Sequence, residues 1–222
     1  MKHLRLIFLL ALVVGFSPAA LAGADDDYAA ALKSFQDGDV VGAMPGLRRA
    51  AATGHTKAQV LLAEILDRSE FDEEAVVLYR EAAGKGDADG MFGYATMLAA
   101  GEGLKQKDPV QARGWFEKAA ELGHRQAIGV MAQAHLRGEL GVTAGEQQSP
   151  AALRWIEMAA KLDYLPAVDA LALAYRGGGS LGLEANPRLA GQYQAQSDRL
   201  RGIDPARAKK KGRRVVPLIE EK

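Results

Sequence analysis

The chain has 222 residues, 48% of them hydrophobic and 25% charged, a balance that fits a folded protein and excludes wholesale disorder. Its 28 basic and 28 acidic residues cancel, and it has no cysteine, which excludes disulfides, thiolate metal sites, a cysteine nucleophile and a lipidated N-terminal cysteine.

In chain order, the first segment reads as a secretory signal. Lys2 and Arg5 give a charged start, Leu6 to Phe16 is an apolar run, and Ala20-Leu21-Ala22 is a small-x-small cleavage site. Residues 1–22 are therefore expected to be removed, with cleavage between Ala22 and Gly23. The apolar run is short for a membrane span, which needs about 20 residues. No transmembrane segment is expected in the mature chain, which is placed in the periplasm or outside the cell. Loss of Lys2 and Arg5 leaves the remainder slightly acidic, with a basic C-terminal end.

Residues 23–203 are organised as a repeat. One phrase recurs four times with identical internal spacing: Ala43, Gly46, Ala50-Ala51, Gly54; Ala75, Leu78, Ala82-Ala83, Gly86; Ala112, Trp115, Ala119-Ala120, Gly123; and Ala152, Trp155, Ala159-Ala160, Asp163. The copies lie 32, 37 and 40 residues apart, so the extra residues belong in loops. A second phrase follows each copy. It begins with the pairs Ala58/Leu62, Gly90/Tyr94, Ala127/Met131 and Ala167/Leu171, continues with Ala63, Ala95, Ala132 and Ala172, and ends on Leu66, Leu98, His135 and Tyr175. Steps of three and four put these residues on one helical face. Each unit is thus two helices, expected near 58–67, 90–100, 127–137 and 167–177 for the first helices of successive hairpins.

The helix boundaries carry their own signals. Asp108-Pro109, Ser149-Pro150 and Asn186-Pro187 each supply a side-chain N-cap followed by a proline at the first helical position. Gly54, Gly86 and Gly123 close helices in the left-handed conformation. Pro45-Gly46 predicts a kink or late start in the helix that contains it. Asp25-Asp26-Asp27 and Asp72-Glu73-Glu74 are read as helix starts, where negative charge complements the dipole. After Ala190 and Tyr193 the alanine pair is missing and Gln192, Gln194, Gln196 and Asp198 appear, the pattern of a terminal cap.

The order small-x-x-x-Leu-Gly/Ala-x-x-Tyr-x-x-Gly, Asp-Pro, Ala-x-x-Trp-Phe-x-Lys-Ala-Ala-x-x-Gly resembles the Sel1-like repeat, a relative of the tetratricopeptide repeat. Its best copy runs from Gly90 to Gly123, and the likeness covers roughly residues 27 to 195. The resemblance implies an all-α fold, a right-handed α-solenoid of about five helix-turn-helix repeats whose first helices line the concave face. It also implies a protein- or peptide-binding adaptor or regulator of the cell envelope. The alternatives it offers are an accessory scaffold for polysaccharide assembly or for the flagellar motor. Enzymatic lactam binding, linked to cysteine-rich relatives, is less well supported, because this chain lacks both those cysteines and a Ser-x-x-Lys motif. No catalytic residue, cofactor or metal is expected.

The formal matches to other chemistry are weak. Gly177 to Gly182 spell both a dinucleotide fingerprint and a nucleophile elbow, but each requires a preceding strand where a helix is expected. His55 and His124 share a repeat position just past a closing glycine and are read as capping the carbonyls of the preceding helix. Trp115 and Trp155 share a position read as core or hairpin packing. Tyr94, Leu98, His135, Arg137, Tyr175 and Arg176 are candidate partner-binding residues on the first helices, the two arginines able to grip a carboxylate. Residues 204–222 form a basic tail with Arg207, Lys209, Lys210, Lys211, Arg213 and Arg214, followed by Val215-Val216-Pro217-Leu218-Ile219. This tail is a candidate docking segment for an acidic partner or another anionic surface. Nucleic acid is a poor candidate for an exported chain.

Overall fold

The computed structural model describes residues 18–177 and 180–203. Those residues form ten α-helices and no strand: α1 Pro18–Gln36, α2 Val40–Ala52, α3 Thr56–Arg68, α4 Asp72–Gly84, α5 Ala88–Ala100, α6 Pro109–Glu121, α7 Arg125–Arg137, α8 Pro150–Lys161, α9 Leu165–Gly177 and α10 Pro187–Leu200. Each helix packs on the next in sequence, which is the contact pattern of a solenoid. The odd-numbered helices are called A and the even-numbered B. Successive A helices also touch one another, α3 with α5 and α7 with α9, whereas no two B helices pack as closely. The A helices are therefore the inner layer of the stack.

The boundaries form where the local chemistry places them. Asp108 accepts from the Gln111 amide at 2.9 Å, Ser149 from Ala152 at 3.2 Å and Asn186 from Leu189 at 3.1 Å, each with proline at the first helical position. Gly54, Gly86 and Gly123 sit at φ +87°, +90° and +85°, where a side chain would be strained. Asp163 adopts the same left-handed turn at φ 62° without being glycine. The four alanine pairs, at 50–51, 82–83, 119–120 and 159–160, are all buried and let A and B helices approach closely. Leu47, Leu62, Met97, Met131, Trp155 and Leu171 fill the space between the layers.

Two expectations about helix ends need correction. Pro45 neither delays nor breaks α2, which starts at its Asp39 cap and runs to Ala52. Proline removes only the bond to the Val41 carbonyl, and Val41 is 83% exposed, so water can satisfy that group. Gly46 is fixed by packing: a Cβ there would lie 3.0 Å from the Asp27 carbonyl oxygen and from the Ala31 Cβ, so α1 and α2 meet at this point. In the uncleaved chain Asp25, Asp26 and Asp27 lie inside α1, which is described from Pro18, and only loss of residues 1–22 would put them in its first turn. Asp27 forms an ion pair with Arg49 at 2.6 Å.

The last hairpin ends the array. Only Ala190 and Ser197 of α10 are buried. Ser197 donates to Asp169 at 2.7 Å, and Arg201 pairs with the same carboxylate at 2.5 Å, so a polar network closes the surface where another repeat would stack. The helix that precedes Gly177-Gly182 removes the strand that both the dinucleotide and the nucleophile motif demand.

Candidate functional site

The surface to consider is the face of the A layer turned away from the B helices. Along each A helix the alanines at 63, 95, 132 and 172 are buried against the B layer. The next residue in each helix emerges on the inner face: Glu64, Thr96, Gln133 and Leu173. A step of one residue turns about 100° around a helix, which is why a buried position and a displayed one stand side by side. One position per repeat thus presents a carboxylate, a hydroxyl, an amide and an apolar side chain in order along the stack. Leu173 is 63% exposed, large for an apolar residue at a regular repeat position.

Two depressions interrupt this face. A cavity of about 260 Å³ lies between α3 and α5 and is lined by Glu64, Asp67, Arg68, Asp89, Phe92 and Thr96 among others. Tyr79 of α4 lies at its floor, its ring against Gly93, where a Cβ would come within 2.3 Å of the ring. Three carboxylates here stand with the Arg68 guanidinium and the His124 imidazole, the latter 3.3 Å from Asp89. Burial pushes the Glu64 carboxyl up, and neighbouring Asp89 and Asp67 add to that push while Arg68 opposes it. Burial likewise raises Asp67, with Asp72 contributing. The Tyr79 phenol is driven well above its ordinary value by burial, then by Glu64 and Asp67. The local potential is negative. The second depression, about 410 Å³, lies between α7 and the α8–α9 turn and is lined by Gly129, Val130, Gln133, Leu162 and Tyr164 among others. It is the more apolar of the two, and the Tyr164 hydroxyl is held by Gln133 at 2.7 Å.

His55 and His124 border this face, in a role different from the one expected. Their imidazoles do not cap the preceding helix, although their backbone amides do, His55 donating to the Ala50 carbonyl oxygen at 3.1 Å and His124 to that of Ala119 at 3.0 Å. The Nδ1 of His55 accepts from the Ala58 amide at 3.1 Å, and that of His124 from Ala127 at 3.1 Å, so each is the N-cap of the following A helix. Each Nε2 then points to an aspartate on the preceding A helix, His55 to Asp25 of α1 and His124 to Asp89 of α5, both at 3.3 Å. Each ring also stacks on an aromatic of that same helix, Tyr28 or Phe92, at 4.5 Å between centroids. The backbone amides of the closing glycine and of the histidine itself already satisfy end carbonyls of the preceding helix, which leaves the imidazole free for the next helix's orphan amides. Asp87 performs the same cap for α5, accepting from Gly90 at 2.9 Å.

The candidate partner-binding residues fall into four groups. Tyr94, Leu98 and His135 are buried, so they space the layers and offer no surface. His135 is held through Nδ1 to the Met131 carbonyl oxygen at 2.8 Å. Arg137 and Arg176 are exposed at the ends of equivalent helices, but each has a neighbour, Glu139 at 3.7 Å and Gln194 at 2.7 Å. Tyr175 is half-buried and stacks on Tyr193 at 5.9 Å. Lys209, Lys210, Lys211, Arg213 and Arg214 lie outside the described residues, as does the Ala22–Gly23 cleavage site as far as side chains up to Ala22 are concerned. Trp155 is buried, and Trp115 stands edge-on to Tyr94 at 5.6 Å with the Lys118 ammonium 4.0 Å above its ring. Glu64, Asp89, Thr96, Gln133 and Leu173 were not singled out from the sequence, although the residue following each buried alanine was a readable signal for most of them.

Among the described residues no three His, Asp or Glu side chains gather as a metal-holding group, and no helix is long and apolar enough to cross a membrane.

Three segments, residues 88–124, 127–164 and 167–193, match the Sel1 repeat. Among solved structures the chain is similar to a protective antigen of uropathogenic Escherichia coli strains that displays an SLR fold, with 28% identity and a TM-score of 0.69 over 82% of this chain and 39% of that one. It thus spans well under half of that protein. It is also similar to a Sel1 repeat protein from Oxalobacter formigenes, with 26% identity and a TM-score of 0.61 over 81% of this chain and 72% of that one. No curated protein matches.

Proposed function

From the premise that this chain is a Sel1 repeat protein, we propose that it is an exported adaptor of the cell envelope that holds a protein or peptide on the inner face of its A helices. Sel1 repeats are scaffolds for protein–protein interaction, so the general class needs no further step. The observation that carries the finer reading is the row Glu64, Thr96, Gln133 and Leu173. It displays one chemically different side chain per repeat on a continuous face, while the residue before each is a buried alanine. Such a row reads an extended ligand residue by residue, and a rigid scaffold does so at low entropic cost.

Export rests on the first 22 residues: the charged start at Lys2 and Arg5, the apolar run from Leu6 to Phe16 and the small-x-small site Ala20-Leu21-Ala22. Cleavage before Gly23 would put Asp25 to Asp27 in the first turn of α1, where carboxylates are favourable.

The test is a crosslinking pulldown from the cell envelope with the mature protein as bait. Wild type is expected to enrich one reproducible partner. Leu173→Arg and Thr96→Arg are expected to lose it, while Gln111→Arg on the outer layer keeps it. Equal capture by all three variants would refute the inner face as the binding surface. The mass of the exported protein checks cleavage, and a chain retaining Met1 to Ala22 would refute export by a cleaved signal.

A further inference from the structure

On the outer side of the stack, two successive grooves between B helices are built from equivalent positions of the repeat. The groove between α2 and α4 is lined by Arg48, Leu62, Glu74, Leu78 and Glu81 among others. The groove between α4 and α6, a cavity of about 370 Å³, presents Arg80, Tyr94, Gln111, Trp115 and Lys118 in their places. Each arginine stands two residues before its helix's alanine pair, Glu74 and Gln111 directly precede Ala75 and Ala112, and Glu81 and Lys118 directly precede the pairs at 82–83 and 119–120. In the first groove Arg48 forms an ion pair with Glu74, so its charge is neutralised within the chain, and Glu81 accepts from Gln59 at 2.6 Å. In the second groove both carboxylates are gone. Arg80 has no ion pair among the described residues. Lys118 lies 4.0 Å above the Trp115 ring, and an added side chain at Gly114 would meet nothing within 4 Å, so the groove is open there. Its floor differs too. Tyr94 gives nothing to the inner face and is only 9% exposed, yet its hydroxyl has no hydrogen-bond partner among the described residues and reaches this cavity. A buried hydroxyl without a partner is destabilising, and the other repeats avoid it with Leu62, Met131 and Leu171 at the same position.

We infer that the groove between α4 and α6 is a seat for a carboxylate side chain of a partner polypeptide, on the layer opposite the inner face. The neighbouring groove shows which group is missing. There a glutamate satisfies the arginine; here the arginine keeps its place and a neutral glutamine stands where the glutamate was, so the carboxylate comes from outside. Arg80 offers it a planar fork of donors, Lys118 a second cation and Tyr94 a hydroxyl at the floor. No carboxylate among the lining residues competes for them. A polypeptide fits better than an acidic polysaccharide, because the Lys118 ammonium already covers the indole face on which a sugar ring would stack. The seat does not depend on the row of Glu64, Thr96, Gln133 and Leu173, and it gives the scaffold a second contact surface.

Nuclear magnetic resonance of the nitrogen-15-labelled protein tests it. The chain has two tryptophans: Trp115 lines the seat and Trp155 is buried elsewhere, so their indole N–H resonances report binding and integrity of the fold separately. Poly-L-glutamate is expected to move the Trp115 resonance in a saturable way and to leave that of Trp155 in place, and poly-L-glutamine to move neither. Arg80→Gln is expected to weaken binding by about tenfold or more, and Tyr94→Phe by about 2- to 10-fold. Gln111→Glu rebuilds the internal ion pair of the neighbouring groove and is expected to abolish the response, with Trp155 unmoved as proof of folding. A Trp115 resonance that stays fixed in poly-L-glutamate, or that responds undiminished in Gln111→Glu, overturns the inference. Tighter binding of polygalacturonate or of inorganic phosphate than of poly-L-glutamate would give the seat to a sugar polymer or a free anion and overturn the polypeptide assignment. The envelope pulldown reads the other face. Its Gln111→Arg control adds a cation here and leaves the seat able to take a carboxylate, so capture lost in Leu173→Arg with an unresponsive Trp115 would sink the outer seat alone.

Discussion

Replacing Gly93 by alanine separates two opposing effects whose net sign the structure fixes. Gly93 lies inside α5, where alanine is a better helix former by about 0.5–1 kcal/mol. Against this, the new Cβ would lie 2.3 Å from the Tyr79 ring, and Tyr79 is only 5% exposed, so the ring has no free space to move into. Forcing a methyl into such a contact costs about 1–3 kcal/mol. The net expectation is destabilisation by about 1 kcal/mol or slightly more. For a chain of this size that lowers the melting temperature by about 2–4 °C per kcal/mol. Thermal melts followed by far-ultraviolet circular dichroism would measure it, with Tyr79→Ala and the double variant completing a cycle. In the Tyr79→Ala background the clash is gone, so Gly93→Ala should become neutral or stabilising. If Gly93→Ala stabilises the protein with Tyr79 intact, the ring does not pack on Gly93 and the floor of the acidic cavity has been misplaced.

Three further outcomes follow from other parts of the stack. His124→Ala should cost about 0.5–2 kcal/mol through loss of the α7 N-cap, and His124→Asn should restore most of it, as judged by urea melts; equal losses would show that the stacking on Phe92 rather than the cap matters. Trp155→Ala, at a fully buried site, should cost about 3–5 kcal/mol in the same assay, and a loss below that of His124→Ala would contradict its burial. Asp169 is held below its ordinary value of 3.8, chiefly by the Arg201 guanidinium and also by the Ser197 hydroxyl, against an opposing push from burial. A depressed carboxylate contributes stability that is present above pH 3.8 and lost as the pH falls through its folded value. Asp169→Asn should therefore be less stable than wild type at neutral pH, with the gap narrowing in acid below that value; a gap that widens on acidification would refute the cap network.

The helical periodicity, the Asp-Pro, Ser-Pro and Asn-Pro starts and the closing glycines are local devices, each acting within one turn of its own residues. For that reason the hairpins, their order and the alanine seams were legible from the sequence alone. Rotation of each helix about its axis depends instead on neighbours far away in the chain. Tyr94, Leu98 and His135 read as groove residues but are buried, whereas Glu64, Thr96 and Leu173, one position past the alanines at 63, 95 and 172, form the displayed row. Pro45 illustrates the same division: its propensity argues against a helix, but α2 continues through it, with Gly46 packed on Asp27 and Ala31. His55 and His124 sit between two helices and can cap either one. Only the fold, which closes the first helix with glycine and brings Asp25 or Asp89 to the far ring nitrogen, assigns them to the second. Local chemistry determined where each helix begins and ends; the stacking of layers decided which side chains face inward and which are left for a ligand.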